Sequence, residues 1–282
     1  MIAGRRHVAL LLFCAVALVH APGGAVAQEG EALEPMETLQ TAFDRMFNYT
    51  SARRVAMRTW RDGRHVHSRN FEMIYKKVDG QGRTFLRFTA PEYLRETALM
   101  IFENHDRSDD VWTYIPAFRK PRRINASQKG DAFYGTDLTY EDLEHHDWTR
   151  YDVKQLPDAQ HGGRVCSVIE AIAPVSSQYA RAVAFIEKGR TALLRVDFYK
   201  RGSMTMVKTL EVDPDEITEL DGALLPARML MRLAGRDAST EVRFEKILLE
   251  PKIPDQAFLL ERLETRVKPF DLVRAMRSER AQ

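Results

Sequence analysis

Residues 52–75 read ARRVAMRTWRDGRHVHSRNFEMIY, and their period decides the fold. Val55, Met57 and Thr59 alternate with Arg54, Arg58 and Trp60. Phe71, Met73 and Tyr75 resume the alternation after Asp62-Gly63. A two-residue period places one set of side chains on each face of a strand. Asp-Gly between two such runs favours a tight turn with positive φ at both residues. The segment therefore predicts an antiparallel hairpin with one apolar face.

Outward from this hairpin the same signal recurs. Asp79-Gly80-Gln81-Gly82 turns the chain again, and Leu86 and Phe88 then flank Arg87. Residues 97–102 form a more continuous apolar run, and residues 111–115 another. Residues 116–145 hold Pro116, Pro121, Gly130 and Gly135 and predict a long ordered loop with one helical turn. Further strands are expected at 148–155, 164–172, 181–188, 192–200, 203–213, 216–221, 224–234 and 239–249. A short closing helical turn is expected at residues 254–258. Before the hairpin, Pro35 precedes Leu39, Phe43, Met46 and Phe47 at helical spacing, which predicts one amphipathic helix over 36–48. The chain is thus mainly β within an α+β class, an antiparallel sheet that curls around a helix.

The ends carry different signals. Arg5 and Arg6 precede an apolar run from Val8 to Val19, and Ala25-Val26-Ala27 fits small-residue cleavage. Residues 1–27 are therefore expected to be a signal peptide cut after Ala27, with a periplasmic destination. The run is too short to span a bilayer, and no transmembrane stretch follows in the mature chain. Removal of residues 1–27 takes away two arginines and no acid, leaving 40 basic and 40 acidic side chains. A neutral mature chain gives no support for nucleic-acid binding. Residues 28–264 are read as one domain and 265–282 as a polar tail in which Phe270, Val273 and Met276 form a weak stripe. One cysteine, Cys166, remains after cleavage, so no internal disulfide is available and stability must come from a core.

No segment carries a catalytic signature. Gly-x-Ser-x-Gly and phosphate-cradling glycine loops are missing. Cys166 lies between Val165 and Val168 and reads as a buried small apolar residue. His145-His146-Asp147, with Asp142 nearby, is the best metal candidate. Adjacent side chains diverge on either a strand or a helix, however, so no shared metal is expected. Neither a cofactor nor a metal is implied. The basic run Arg119-Lys120-Pro121-Arg122-Arg123 is followed by Asp131, Asp137, Glu141 and Asp142, which favours local charge pairing. Seven methionines fall on expected strands: Met57, Met73, Met100, Met204, Met206, Met229 and Met231. Methionine fills cores and equally lines cavities that accept varied ligands.

Several segments taken together resemble a known family. Thr89-Ala90-Pro91, the run Asp109-Asp110-Val111-Trp112-Thr113-Tyr114-Ile115-Pro116, and Gly135-Thr136-Asp137-Leu138-Thr139-Tyr140-Glu141-Asp142-Leu143 stand in order. Asp221-Gly222, Pro226-Ala227-Arg228-Met229 and Ile253-Pro254-Asp255 with Phe258 follow. This pattern, over roughly residues 36–264, resembles the outer-membrane lipoprotein-sorting proteins, the LolA-like branch of the LolA/LolB superfamily. It departs at Glu96, where a glycine is expected, and at Ala132 and Thr136, where serines are expected.

The resemblance implies a curved, unclosed antiparallel half-barrel with a helical lid over a hydrophobic concavity. It moves Phe43, Phe47, Met57, Phe71, Met73, Leu86, Phe88 and Met100 toward a cavity, with Met204, Met206, Met229 and Met231. Trp112, Tyr114, Arg122, Asp137, Tyr140 and Asp142 are the motif residues, with two roles open: bracing the fold or docking a partner. The implied function is a periplasmic carrier of a lipid, acyl chain or lipoprotein toward the outer membrane, alongside an inner-membrane exporter, without enzymatic activity. A non-catalytic scaffold subunit of such an exporter is the alternative, and a secreted hydrolase a weaker one.

Overall fold

The computed structural model describes residues 34–202 and 205–278. Helix α1 spans Pro35–Phe47. It begins at the proline, whose fixed φ suits a first turn, and ends where Asn48 N donates to Asp44 O at 3.1 Å. The first hairpin follows as β1 (Ser51–Arg61) and β2 (Arg64–Val78). Its turn has φ of 50° at Asp62 and 69° at Gly63, the left-handed pair that Asp-Gly supplies at low cost.

The meander continues through β3 (Gln81–Ala90), β4 (Ala98–Phe102), β5 (Asp110–Tyr114) and β6 (Pro121–Arg123). A second meander runs through β7 (Asp152–His161), β8 (Arg164–Ile172), β9 (Tyr179–Glu187), β10 (Ala192–Lys200) and β11 (Met206–Glu211). The short hairpin β12 (Ile217–Leu220) and β13 (Ala223–Pro226) stands apart. Strands β14 (Arg228–Leu233) and β15 (Ala238–Leu249) then return to the main sheet.

Thirteen strands form one antiparallel sheet in the order β6-β5-β4-β3-β2-β1-β15-β14-β11-β10-β9-β8-β7. The sheet does not close, because β6 and β7 are its two edges. Strand β15 joins the halves by pairing with β1 on one side and β14 on the other. Edge strand β7 slips register between Leu156 and Ala159, where Pro157 cannot donate a ladder hydrogen bond.

Each face of the sheet has its own cover. On the inner face, Leu39, Ala42 and Met46 of α1 bury against Ile169, Ile186 and Leu194. Loop residues Ile124, Phe133 and Leu138 cover the inner face of β1–β5. On the outer face, Ile253, Ala257, Phe258 and Leu263 pack against Ala52, Ile74, Phe85 and Met100. Two 3-10 turns carry that strap, Asp255–Phe258 and Leu260–Glu264.

Arg87 fastens the strap from inside the sheet. It is fully buried, and its guanidinium donates to the carbonyl oxygens of Arg262, Leu263 and Val267 at 2.8–3.1 Å. A fourth bond runs from Nη1 to Glu96 O at 2.8 Å. Glu96 has φ of 67°, a left-handed conformation in which a side chain is strained. That geometry is the physical reason a glycine is expected there.

Four sequence expectations need correction. The polar tail contains helix α2 (Pro269–Ser278), whose Phe270 and Val273 are buried on the outer face. Glu72 accepts the Phe270 amide at 3.1 Å and so satisfies a first-turn donor. The expected strand at 148–155 starts at Asp152, because Asp147 Oδ1 accepts the Thr149 amide and caps a 3-10 turn at Trp148–Arg150. The expected strand at 224–234 divides at Ala227, whose amide bonds Glu216 O while its carbonyl accepts from Phe244 N. Residues 116–145 hold strand β6 and three 3-10 turns rather than one helical turn.

Candidate functional site

A cavity of about 220 Å³ lies between α1, the loop at 138–151 and the inner face of the sheet. Period two builds its floor: Val55 and Met57 of β1 stand beside Phe71 and Met73 of β2. On the other side, Phe244 and Val242 of β15 lie opposite them, followed by Met229 and Met231 of β14. Helical spacing builds the roof, where Phe43 and Phe47 reach inward four residues apart. Phe43 packs against Trp148 with ring centroids 4.6 Å apart, and Trp148 against Tyr151 at 5.0 Å. Phe198 and Tyr179, 5.0 Å apart, complete the wall from β10 and β9.

Polar groups break this apolar surface in two places. Asp142 reaches the wall from the loop and forms a buried ion pair with Lys208 of β11. Asp142 also accepts the Thr139 amide at 2.6 Å and the Tyr179 hydroxyl at 2.8 Å. Elsewhere on the floor stand Arg53, Tyr75 and Glu103, with His145 above them. Glu103 lies over Gly82, whose amide donates to its carboxylate at 2.8 Å. A Cβ on Gly82 would fall 1.9 Å from that carboxylate, which would have to move aside. Burial raises the Glu103 pKa and lowers that of Arg53. His145 is held down to about 4, first by burial and then by His146. His146 is also lowered by burial, and its Nδ1 lies 3.1 Å from the Tyr151 hydroxyl. Both imidazoles are thus neutral near pH 7.

The predicted cavity residues divide by position. Phe43, Phe47, Met57, Phe71, Met73, Met229 and Met231 line the cavity. Leu86 and Phe88 lie on the same face but beneath the loop, with Phe88 stacked on Phe133 at 5.7 Å. Met100 is buried on the outer face under the C-terminal strap. Met206 is half-buried on β11, where Thr209 Oγ1 donates to its sulfur at 3.5 Å. Met204 lies outside the described residues.

The motif residues scatter over both faces. Trp112 and Tyr114 pack on the outer face. Arg122 is exposed with its guanidinium 4.0 Å from the Phe118 ring centroid. Asp137 bonds Thr240 Oγ1 at 2.7 Å and pairs with Arg61 at 2.8 Å, tying the loop to β15 and β1. Tyr140 meets Phe133 edge-on at 5.7 Å. Only Asp142 of the six touches the cavity.

Arg53, Tyr75, Glu103 and Trp148 line the cavity without having been singled out from sequence. For Arg53 a signal existed, since it stands two residues before Val55 and so shares its face. Among the described residues, no group of three or more His, Cys, Asp or Glu is placed to hold a metal. None of the described helices is long and apolar enough to cross a membrane.

A family model described only as an uncharacterized protein matches residues 80–265. No curated protein matches the sequence significantly. Among solved structures, an outer membrane lipoprotein-sorting protein domain from Vibrio parahaemolyticus aligns with a TM-score of 0.75 at 23% identity, covering 82% of this chain and 98% of that one. A DUF1329 family protein from Desulfovibrio piger aligns with a TM-score of 0.73 at 23% identity, over 82% of this chain and all of that one. A LolA superfamily protein from Nitrosomonas europaea gives 0.66 at 18% identity, over 81% and 98%. These structures share the unclosed antiparallel sheet. The chain belongs to the family of uncharacterized proteins whose model spans residues 80–265, and its fold is LolA-like.

Proposed function

We propose that this protein is an exported carrier that shelters a lipid, an acyl chain or the acyl part of a lipoprotein in transit through the periplasm. One observation carries the reading: an apolar cavity floored by a LolA-like sheet and roofed by α1. An acyl chain in water costs roughly 0.8 kcal/mol for each exposed CH₂. Phenylalanine and methionine walls offset that cost with little directional preference, which suits reversible holding. In this reading α1 is the lid of a half-barrel, and an inner-membrane exporter is the donor or acceptor. In this reading the protein carries its cargo without turning it over. Residues 1–27, outside the described part, are the export signal, and residues 28–264 the carrier domain.

The test is native mass spectrometry with lipid extraction on the chain purified from a periplasmic fraction. A copurified hydrophobe of defined mass is the expected result. A clean protein that also takes up no neutral fluorescent lipid probe overturns the reading.

A further inference from the structure

Arg53 is a feature that an apolar cavity does not account for. It is 5% exposed and lines the cavity. Its Nε donates to Ser51 Oγ at 3.0 Å, and Nη2 to Phe47 O at 3.2 Å. The rings of Tyr49 and Phe244 lie 4.7 and 5.9 Å from its Cζ. A guanidinium has five N–H donors. Among the described residues, Nη1 meets no acceptor and no carboxylate comes within ion-pair distance of the group.

Of the other buried cations, Lys208 is paired with Asp142, Lys129 with Glu144, and Arg87 is ringed by carbonyls, while Arg69, outside the cavity lining, bonds the carbonyls of Ser68 and Tyr134. Glu103, the carboxylate of the same floor, reaches back over Gly82 of β3 and forms no ion pair with Arg53 among the described residues. A buried cation with no anion is unfavourable unless something supplies one.

A second donor faces the same space. Tyr75 lies on β2, paired with Ser51, so its ring is diagonal to Arg53 across the hairpin. Its hydroxyl is buried without a hydrogen bond of good geometry and faces the Glu103 carboxylate; burial, together with that carboxylate, holds its pKa up. Two donors on adjacent strands, Arg53 without an anion and Tyr75 beside Glu103, flanked by methionine and phenylalanine, have the layout of a head-group site at the end of a chain-binding groove.

We propose that Arg53 and Tyr75 bind the carboxylate of a single-chain amphiphile of the fatty-acid class, with its chain laid over Val55, Met57, Met73 and Met231. This deepens the carrier reading and rests on it. A planar carboxylate matches the guanidinium fork. The single chain follows from volume, since about 220 Å³ is below the roughly 300–1,000 Å³ of ordinary ligand pockets.

The test titrates the full exported chain with tetradecanoate, methyl tetradecanoate and tetradecyl phosphate, each displacing Nile red. The acid should bind about ten-fold or more tighter than its ester, the range of a charge-assisted contact. In Arg53→Met the ester should still bind and the preference should vanish, while Tyr75→Phe should lose part of it. Equal affinity for acid and ester in the unaltered protein overturns the proposal, as does a preference undiminished in Arg53→Met. A phosphate that binds where the acid does not overturns the carboxylate assignment. Should Arg53→Met not fold, the comparison in the unaltered protein decides alone. Displacement by none of the three ligands would instead overturn the carrier reading itself.

Discussion

Lys208 on β11 is ion-paired to Asp142 in the long loop, with side chains only 5% and 3% exposed. The pair joins the loop to the second half of the sheet. The Asp137–Thr240 bond joins the same loop to β15. The start of the cavity wall, residues 137–142, is therefore held to both halves of the sheet by buried polar contacts rather than by apolar packing alone.

Removing one member of that pair leaves the other buried and uncompensated, which typically costs 3–5 kcal/mol. Asp142→Asn should lower stability by about 3 kcal/mol by that rule. The double variant Asp142→Leu/Lys208→Met should recover most of the loss. Urea unfolding of the single and double variants checks both. A single variant as stable as the parent would show that the pair contributes nothing.

Phe43 and Phe47 offer the cavity its roof, and their replacement tests the lid. The variant Phe43→Asp/Phe47→Asp should remain folded, because Leu39, Ala42 and Met46 provide the buried stripe of α1. It should lose uptake of a fluorescent acyl probe. Unchanged uptake by a folded variant would remove α1 from the binding step.

Acid and base should act on opposite partners. His145 has a folded pKa of about 4 against 6.5 when exposed, so folding excludes its proton. Its contribution is complete above about pH 6.5 and is lost as pH falls toward 4. Asp109 is pushed up to about 7 from 3.8, chiefly by burial, and folding retains its proton. Its contribution is complete below about 3.8 and is lost as pH rises through about 7. His145→Gln should therefore flatten the acid loss, and Asp109→Asn the loss on raising pH. Melting temperatures from pH 4 to 8 read both slopes; parallel shifts with unchanged slopes would contradict the assignment.

Glu96 should be improvable. Its left-handed backbone is strained, and its Oε2 is buried without a hydrogen bond. Arg87 keeps the Glu96 carbonyl whatever the side chain, and its carboxylate contact is long at 3.5 Å. Glu96→Gly should stabilise by about 1 kcal/mol, strain relief exceeding the glycine entropy cost. A drop in the unfolding midpoint would mean that the carboxylate contact outweighs the strain.

Much of the architecture was readable, for local reasons. The Asp-Gly turns at Asp62-Gly63 and Asp221-Gly222 name positions that need positive φ, and both have it. The stripe of α1 and the alternation of β1 likewise survive without tertiary information. What escaped depends on partners distant in sequence. Met100 could not be assigned a face because β4 is apolar on both sides and is covered on both. Phe270 and Val273 looked like a weak stripe because their partners, the outer faces of β1–β3, lie about 180–220 residues earlier. Arg53 was passed over because a charge within an alternating run reads as solvated unless its face is followed residue by residue.

The C-terminal strap clads one half of the sheet and leaves the other half single-skinned. Strands β1–β4 are sandwiched between the loop and the strap, while the outer face of β7–β10 carries ion pairs such as Arg181–Glu170 and Lys154–Glu170. Such a sheet has two stiffnesses. Its clad half acts as a fixed jaw and its bare half as a spring, so widening the cavity for a larger guest falls to β7–β10. Amide exchange should therefore be faster in β7–β9 than in β1–β3, and the difference should narrow when a ligand fills the cavity; equal rates in the two halves would mean that the cladding does not set the stiffness.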